Sequence, residues 1–233
     1  MIIDGFQKLT LLDYPGFVAC IIFTKGCNFR CEYCHNSLLI AYENASVISE
    51  EDVLAYLKKR SGVLDGIVIS GGEPLLQPDI THFIQRVKEL GMLVKLDTNG
   101  SNPDLLNKLI NDKLVDYVAM DVKNCFNKYA LTIGKKTNID NIMKSIEILK
   151  EAKVDYEFRT TIVKELHTKK DILEIAKIVG SKSKFYLQNF ILSDHVLNKG
   201  LHGFSEEELN DIKNELVKKY PMVEVRNGEM KNV

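Results

Sequence analysis

Short β-branched, apolar runs alternate along the chain with longer segments whose apolar residues recur at helical spacing. Residues 18–24, Val-Ala-Cys-Ile-Ile-Phe-Thr, form an unbroken apolar run of the kind expected for a strand buried on both faces. Runs at 66–70, 92–96, 117–122, 154–163 and 185–190 predict five more strands. Segments 49–60, 78–90, 103–111, 139–152 and 170–180 between them predict helices. The first of these starts on Ser49 as an N-cap followed by three acids, and Gly91 stops the second. A terminal helix over 206–219 carries Leu209, Ile212 and Leu216 on one face, and 222–225 reads as a last short strand.

Strand alternating with helix implies βαβ units and a parallel sheet. Six such units fall short of a closed eight-stranded barrel, which takes ~250 residues. The expected fold class is therefore α/β, a partial, open parallel β/α barrel of about six βα units; a doubly wound sheet is the alternative. One domain is expected over 1–233, with 1–16 an N-terminal hairpin or lid turning at Tyr14-Pro15-Gly16, and 227–233 a frayed polar tail.

The 45 % hydrophobic and 27 % charged shares are those of an ordinary globular protein. Lys and Arg total 31 against 32 for Asp and Glu, so no basic excess points to nucleic acid. No apolar run spans a bilayer and no signal peptide opens the chain, so a cytoplasmic protein without membrane contact is expected. Five cysteines, three of them crowded into one loop, argue against a disulfide framework and for metal or redox chemistry.

Each polar or glycine-rich cluster falls at or just after a predicted strand end: 25–36, 70–74, 97–100, 121–123 and Arg159. Ligands bind at that edge of parallel α/β folds, so separate segments deliver chemistry to one face. In the first cluster Cys27, Cys31 and Cys34 are spaced C-x3-C-x2-C. A zinc site would need His35 as fourth ligand, and adjacent Cys34 and His35 would have difficulty turning to one ion. A c-type haem (Cys31 to His35) or a thioredoxin-like pair leaves Cys27 without a role. An iron–sulfur cluster uses all three thiolates and leaves one iron open. Cys20 lies inside a predicted strand as a core thiol, and Cys125 follows a strand end.

C-x3-C-x2-C with an aromatic residue, Tyr33, before the third cysteine resembles the signature of the radical S-adenosylmethionine superfamily. The resemblance implies a [4Fe–4S] cluster on Cys27, Cys31 and Cys34 whose open iron binds S-adenosylmethionine, cleaved by one electron to a 5′-deoxyadenosyl radical. Ser70-Gly71-Gly72-Glu73-Pro74 resembles the family's cofactor-binding GGE segment, which takes the methionine amino group. Asp97-Thr98-Asn99-Gly100 and Asp121-Val122-Lys123 resemble segments of related activating enzymes. There Asp97, Thr98 and Asp121 would help hold a monovalent cation, Lys123 would meet the cofactor carboxylate, and Asn99, Tyr33 and Arg159 would complete the cofactor-binding set. Some relatives carry a histidine and a methionine after the sixth strand that reach the cofactor; here 186–190 offers Gln188 and Asn189 instead, while His195 and His202 read as surface residues.

Residues 5–16, together with Gly26-Cys27-Asn28-Phe29-Arg30-Cys31 and Tyr33-Cys34-His35-Asn36, resemble the activating proteins of anaerobic ribonucleoside-triphosphate reductase. Pyruvate formate-lyase activating enzymes are the near alternative. Both act by removing a hydrogen atom from a glycine of a large glycyl radical enzyme, with reduced flavodoxin or ferredoxin as electron donor. A radical enzyme acting on another peptide or a small molecule, and a non-catalytic iron–sulfur electron carrier, are the readings from other classes.

Overall fold

The computed structural model describes residues 1–42 and 48–226 of the chain; the expected frayed tail, 227–233, lies outside the described residues. The first apolar run becomes β2 (Ala19–Thr24), every residue of it buried. The segment before it is β1 (Ile3–Thr10). Then follow α1 (Glu50–Lys59), β3 (Gly66–Gly71), α2 (Ile80–Glu89), β4 (Leu93–Thr98), α3 (Pro103–Asn111) and β5 (Tyr117–Asp121). A four-residue helix α4 (Tyr129–Thr132) precedes α5 (Ile139–Glu151), β6 (Asp155–Ile162), α6 (Lys169–Val179), β7 (Phe185–Asn189), α7 (Glu206–Leu216) and β8 (Val223–Arg226).

Local chemistry accounts for the helix starts. The Ser49 side chain accepts the Asp52 amide, and Thr168–Asp171 and Ser205–Glu208 close reciprocal capping boxes on α6 and α7. Each helix turns one apolar stripe inward: Val53, Leu54 and Leu57 on α1, for example, and Leu209, Ile212 and Leu216 on α7.

The sheet order is β1 to β8 in chain sequence. β1 is antiparallel to β2, and every later pair is parallel. A doubly wound sheet reverses its order part-way. An unreversed order puts successive crossovers on the same face and curls the sheet toward a barrel. β1 and β8 are the two ends of that order, so the barrel is open between them. The open barrel of about six βα units is thus the observed architecture, with one extra strand at each edge.

The base of the barrel is closed from within. Tyr14, 1 % exposed, packs edge-on against Tyr117, the first residue of β5, at 6.1 Å between ring centroids. Ala19, Ile21, Phe23, Val68 and Ala119 complete this inner cluster. Residues 1–16 therefore supply an edge strand and a floor. They do not cover the cysteine loop as a lid would, because β1 runs antiparallel to β2 and carries its turn to the opposite end of the barrel. Among the described residues, no helix is long and apolar enough to cross a membrane.

Candidate functional site

The cysteine loop leaves the end of β2 and is tied down at its root. Lys25 is buried and pairs with Asp4 at 2.7 Å. Its carbonyl accepts the Gln77 side-chain amide at 2.6 Å. The Gly26 and Cys27 amides donate to the Leu39 and Ile40 carbonyls. Gly26 holds φ +94°, and a Cβ there would lie 2.2 Å from the Tyr42 ring, so the turn into the loop requires glycine. The Phe29 amide points at Cys27 Sγ at 3.4 Å, and the Cys34 amide donates to the Cys31 carbonyl at 3.1 Å.

The next strand ends against this root. The Gly72 amide donates to the Thr24 carbonyl and the Glu73 amide to the Gly26 carbonyl, both at 2.8 Å. A Cβ on Gly72 would sit 2.2 Å from the Gly26 carbonyl oxygen. The glycine pair thus lets two strand ends meet, and the Gly72 and Glu73 amides are spent inside the protein. Glu73, 1 % exposed, accepts hydrogen bonds from the Leu75 amide, the Thr98 hydroxyl and the Asn99 amide at 2.7–3.1 Å. Burial pushes its carboxyl up to about 7 against the pull of those three donors. Glu73 therefore carries the 97–100 segment into place. Asn99 in turn donates to the Asn28 side chain at 2.9 Å, back in the cysteine loop.

Deeper in the barrel a ladder of alternating charges crosses three strands. Lys95 pairs with Asp97 at 2.6 Å; Arg159 reaches Asp97 at 3.4 Å and Asp121 at 2.8 Å; Asp121 pairs with Lys123 at 3.0 Å. Burial would raise Asp121, but Arg159 and Lys123 outweigh it and hold the carboxyl at about 2. Burial would equally lower Lys123, yet Asp121 keeps it well above the ordinary lysine range. Three cations against two anions leave the ladder with one positive charge in excess. The expected cation site meets an obstacle here: the Arg159 guanidinium bridges Asp97 and Asp121, and the Thr98 hydroxyl turns to Glu73. A metal cation could join the two aspartates only by displacing Arg159.

All thirteen residues singled out from the sequence line one cavity of about 720 Å³. Cys20 and Cys125 do not. Cys20 is fully buried in β2, its thiol pushed up to about 12 by burial. Cys125 is fully buried beside Asn127 and Asp171. Burial also raises the three loop thiols, Cys27 to about 12, so these groups become thiolates only against iron.

Two observations test a cluster and cofactor against this lining. The Tyr33 hydroxyl is the one buried side-chain polar atom without a hydrogen-bond partner among the described residues. Such an orphan costs about 1–3 kcal/mol unless a ligand supplies its partner. Among the described residues no three His, Cys, Asp or Glu side chains converge as a single-ion site would require. His35 instead lies against Phe190, ring centroids 5.5 Å apart, with Nδ1 3.3 Å from the Ser193 hydroxyl. Thiols spread around a cavity suit a cubane, whose irons occupy separate corners, better than one tetrahedral zinc. The residues fit the group.

Sequence reasoning missed several residues of this cavity. Behind the lining, Lys95 pairs with Asp97 from inside the run 92–96, where a lysine two residues before an aspartate in a strand marks the same face. Thr161 and Arg226 line the cavity, as do Gln188 and Asn189, the two residues the sequence offered after the sixth strand. The 191–199 segment clasps the cysteine loop from outside, with the Asn198 amide and side chain on Glu32 and the Ser37 hydroxyl on the His195 carbonyl. His167, 1 % exposed, fixes the backbone at Lys123: its Nδ1 accepts the Val163 amide, so its Nε2–H donates to the Lys123 carbonyl at 2.8 Å.

Burial keeps His167 below the ordinary histidine value. A base depressed on folding contributes stability that is present above its unfolded value near 6.5 and is lost as pH falls toward its folded one. The loss of stability on acidification below that value should therefore be smaller in His167→Gln than in the unaltered protein, read as the difference between their melting temperatures.

Residues 21–179 match the radical SAM superfamily. A Methanocaldococcus jannaschii protein, provisionally named a glycyl-radical enzyme activating enzyme, is 38 % identical over 194 residues, covering 81 % of this chain and 80 % of its own. The pyruvate formate-lyase-activating enzyme of Clostridium pasteurianum is 29 % identical, covering 76 % of this chain and 75 % of its own. Among solved structures, Streptococcus suis SuiB bound to S-adenosylmethionine superposes with a TM-score of 0.70 over 90 % of this chain at 17 % identity, a likeness of fold. This chain spans 50 % of that one.

Proposed function

Because the chain belongs to the radical SAM superfamily, we propose that it is an activating enzyme that installs a glycyl radical on a partner, the partner being anaerobic ribonucleoside-triphosphate reductase. The observation that carries this reading is the meeting of three thiols, Cys31 buried and Cys27 and Cys34 half-buried, with a charged, polar wall in one cavity of an open barrel. The 38 % identity to an activating-enzyme relative supports the class of reaction, and the segment 5–16 supports the reductase. Bound there, a [4Fe–4S] cluster and S-adenosylmethionine would supply the electron and the 5′-deoxyadenosyl radical that takes a hydrogen atom from the partner's glycine.

The chain's own residues bind, orient and exclude. Cys27, Cys31 and Cys34 would each hold one iron, leaving the fourth open to the cofactor. Lys123 ends a ladder that carries one positive charge in excess, and it lines the cavity, where it suits a carboxylate. The Gly72 and Glu73 amides are engaged inward, so the carbonyls of this segment, with Glu73 behind them, are what it offers to an ammonium. Arg159 holds Asp97 and Asp121 together in the cavity wall. Tyr14 closes the base, so access from solvent or partner is through the gap between β1 and β8.

Reduced protein, S-adenosylmethionine and the reductase, mixed without oxygen with reduced flavodoxin or ferredoxin as donor, should give a glycyl doublet in the electron paramagnetic resonance spectrum. Replacing the target glycine by alanine should abolish it. A doublet on a pyruvate formate-lyase type partner alone would keep the reaction and move the substrate. Cluster without any cleavage of S-adenosylmethionine would instead leave an electron carrier.

A further inference from the structure

The register of the last three strands places a row of polar side chains beside the open edge. Thr161 on β6 is opposite Gln188 on β7, and Gln188 is opposite Arg226 on β8. All three line the cavity. They differ in how they are engaged. Arg226 is neutralised by Glu157, with both terminal nitrogens at 3.3 Å from its carboxylate, and lies 3.4 Å over the Tyr186 ring. Thr161 and Gln188 are half-buried, and no hydrogen bond ties either side chain to another described residue. Asn189 next door is different again, clasped to both the amide and the carbonyl of Phe204. The row is therefore polar, without net charge, and has unused donors and acceptors at Thr161 and Gln188.

We propose that Thr161 and Gln188 form a ledge that binds the main chain of the partner segment carrying the target glycine. The inference rests on the activating-enzyme reading above. A glycine offers no side chain to recognise, so selectivity for its segment must come from peptide N–H and C=O groups. A carboxamide presents one of each function, and a hydroxyl both donates and accepts. Side chains on adjacent strands stand about 5 Å apart, close to the 3.8 Å step of an extended chain. An uncharged ledge suits a neutral peptide backbone, whereas an acidic ligand would find Arg226 already paired. Its place next to β8, at one end of the sheet, is where an entering loop first meets the barrel wall.

The test compares Gln188→Ala and Thr161→Val with the unaltered protein, each reconstituted to equal cluster content. The partner concentration that gives half-maximal glycyl radical is measured with the reductase and with a pyruvate formate-lyase type enzyme. Each variant should raise it roughly 3–10-fold, the loss of one net hydrogen bond. Titration with S-adenosylmethionine should give an unchanged affinity. An unmoved half-saturation overturns the ledge while leaving the activating reading intact. A weakened cofactor affinity assigns the row to the cofactor and overturns the ledge too. If the unaltered protein activates neither partner, the reading and the ledge fall together.

Discussion

Anaerobic reconstitution of Cys31→Ala should give a protein with no iron–sulfur absorbance and no cleavage of S-adenosylmethionine, and Cys27→Ala and Cys34→Ala should behave alike. The loss is expected to be complete rather than graded, because among the described residues no other cysteine lines the cavity. Cys20 is locked in β2 with its side chain in the core, and Cys125 sits behind Asn127 and Asp171, off the cavity. Cys20→Ala and Cys125→Ala should therefore keep the cluster spectrum. Retention of a full cluster by any of the three loop variants, or its loss in Cys125→Ala, would overturn the three-ligand assignment.

Arg159→Ala should be the most destabilising change in the charge ladder. The guanidinium is 14 % exposed and separates two carboxylates that are each more than two-thirds buried. Removing it leaves Asp97 and Asp121 facing one another without their shared partner. Breaking a buried pair from one side typically costs about 3–5 kcal/mol, and the cavity's openness places this case near the lower end. At roughly 2–4 °C per kcal/mol for a chain of this size, the melting temperature should drop by roughly 6–12 °C. Adding Asp121→Asn should recover part of the loss, because it removes one of the stranded charges. A drop below about 2 °C in thermal melts, or no recovery in the double variant, would mean that the ladder is solvated and contributes little.

Much of the site was legible because its chemistry is written in short segments at strand ends. The cysteine spacing, Gly71-Gly72-Glu73, 97–100 and 121–123 each stand out locally, and parallel topology brings such ends to one edge. What could not be read is whatever depends on pairing between strands. The choice between an open barrel and a doubly wound sheet turns on strand order, which local pattern does not encode. Glu73 looked like a ligand for an ammonium, but it spends three acceptor positions on holding Thr98, Asn99 and Leu75. Asp97 and Asp121 looked like cation ligands, and the register instead sets Arg159 between them. Tyr14 reads correctly as part of a turn, but only the antiparallel pairing of β1 with β2 shows that the turn lies at the base of the barrel. Gln188 and Asn189 are neighbours in sequence and both line the cavity, but only the structure shows that Asn189 is also clasped to Phe204.

The unbroken order of strands also sets a timetable for the thiols. A sheet whose spatial neighbours are its sequence neighbours can assemble strand by strand as the chain leaves the ribosome. Cys34 is made 125 residues before Arg159, the last member of the ladder. At 5–20 residues per second that interval is roughly 6–25 s. Throughout it, the three cysteines stand on β2 without the walls that β5, β6 and β7 later raise around them. A nascent chain made in air thus offers three accessible thiols to oxidation and to stray soft metals before it has a cavity to protect them. The yield of reconstitutable protein should then depend on the oxygen present during synthesis, and not only on its exclusion during purification.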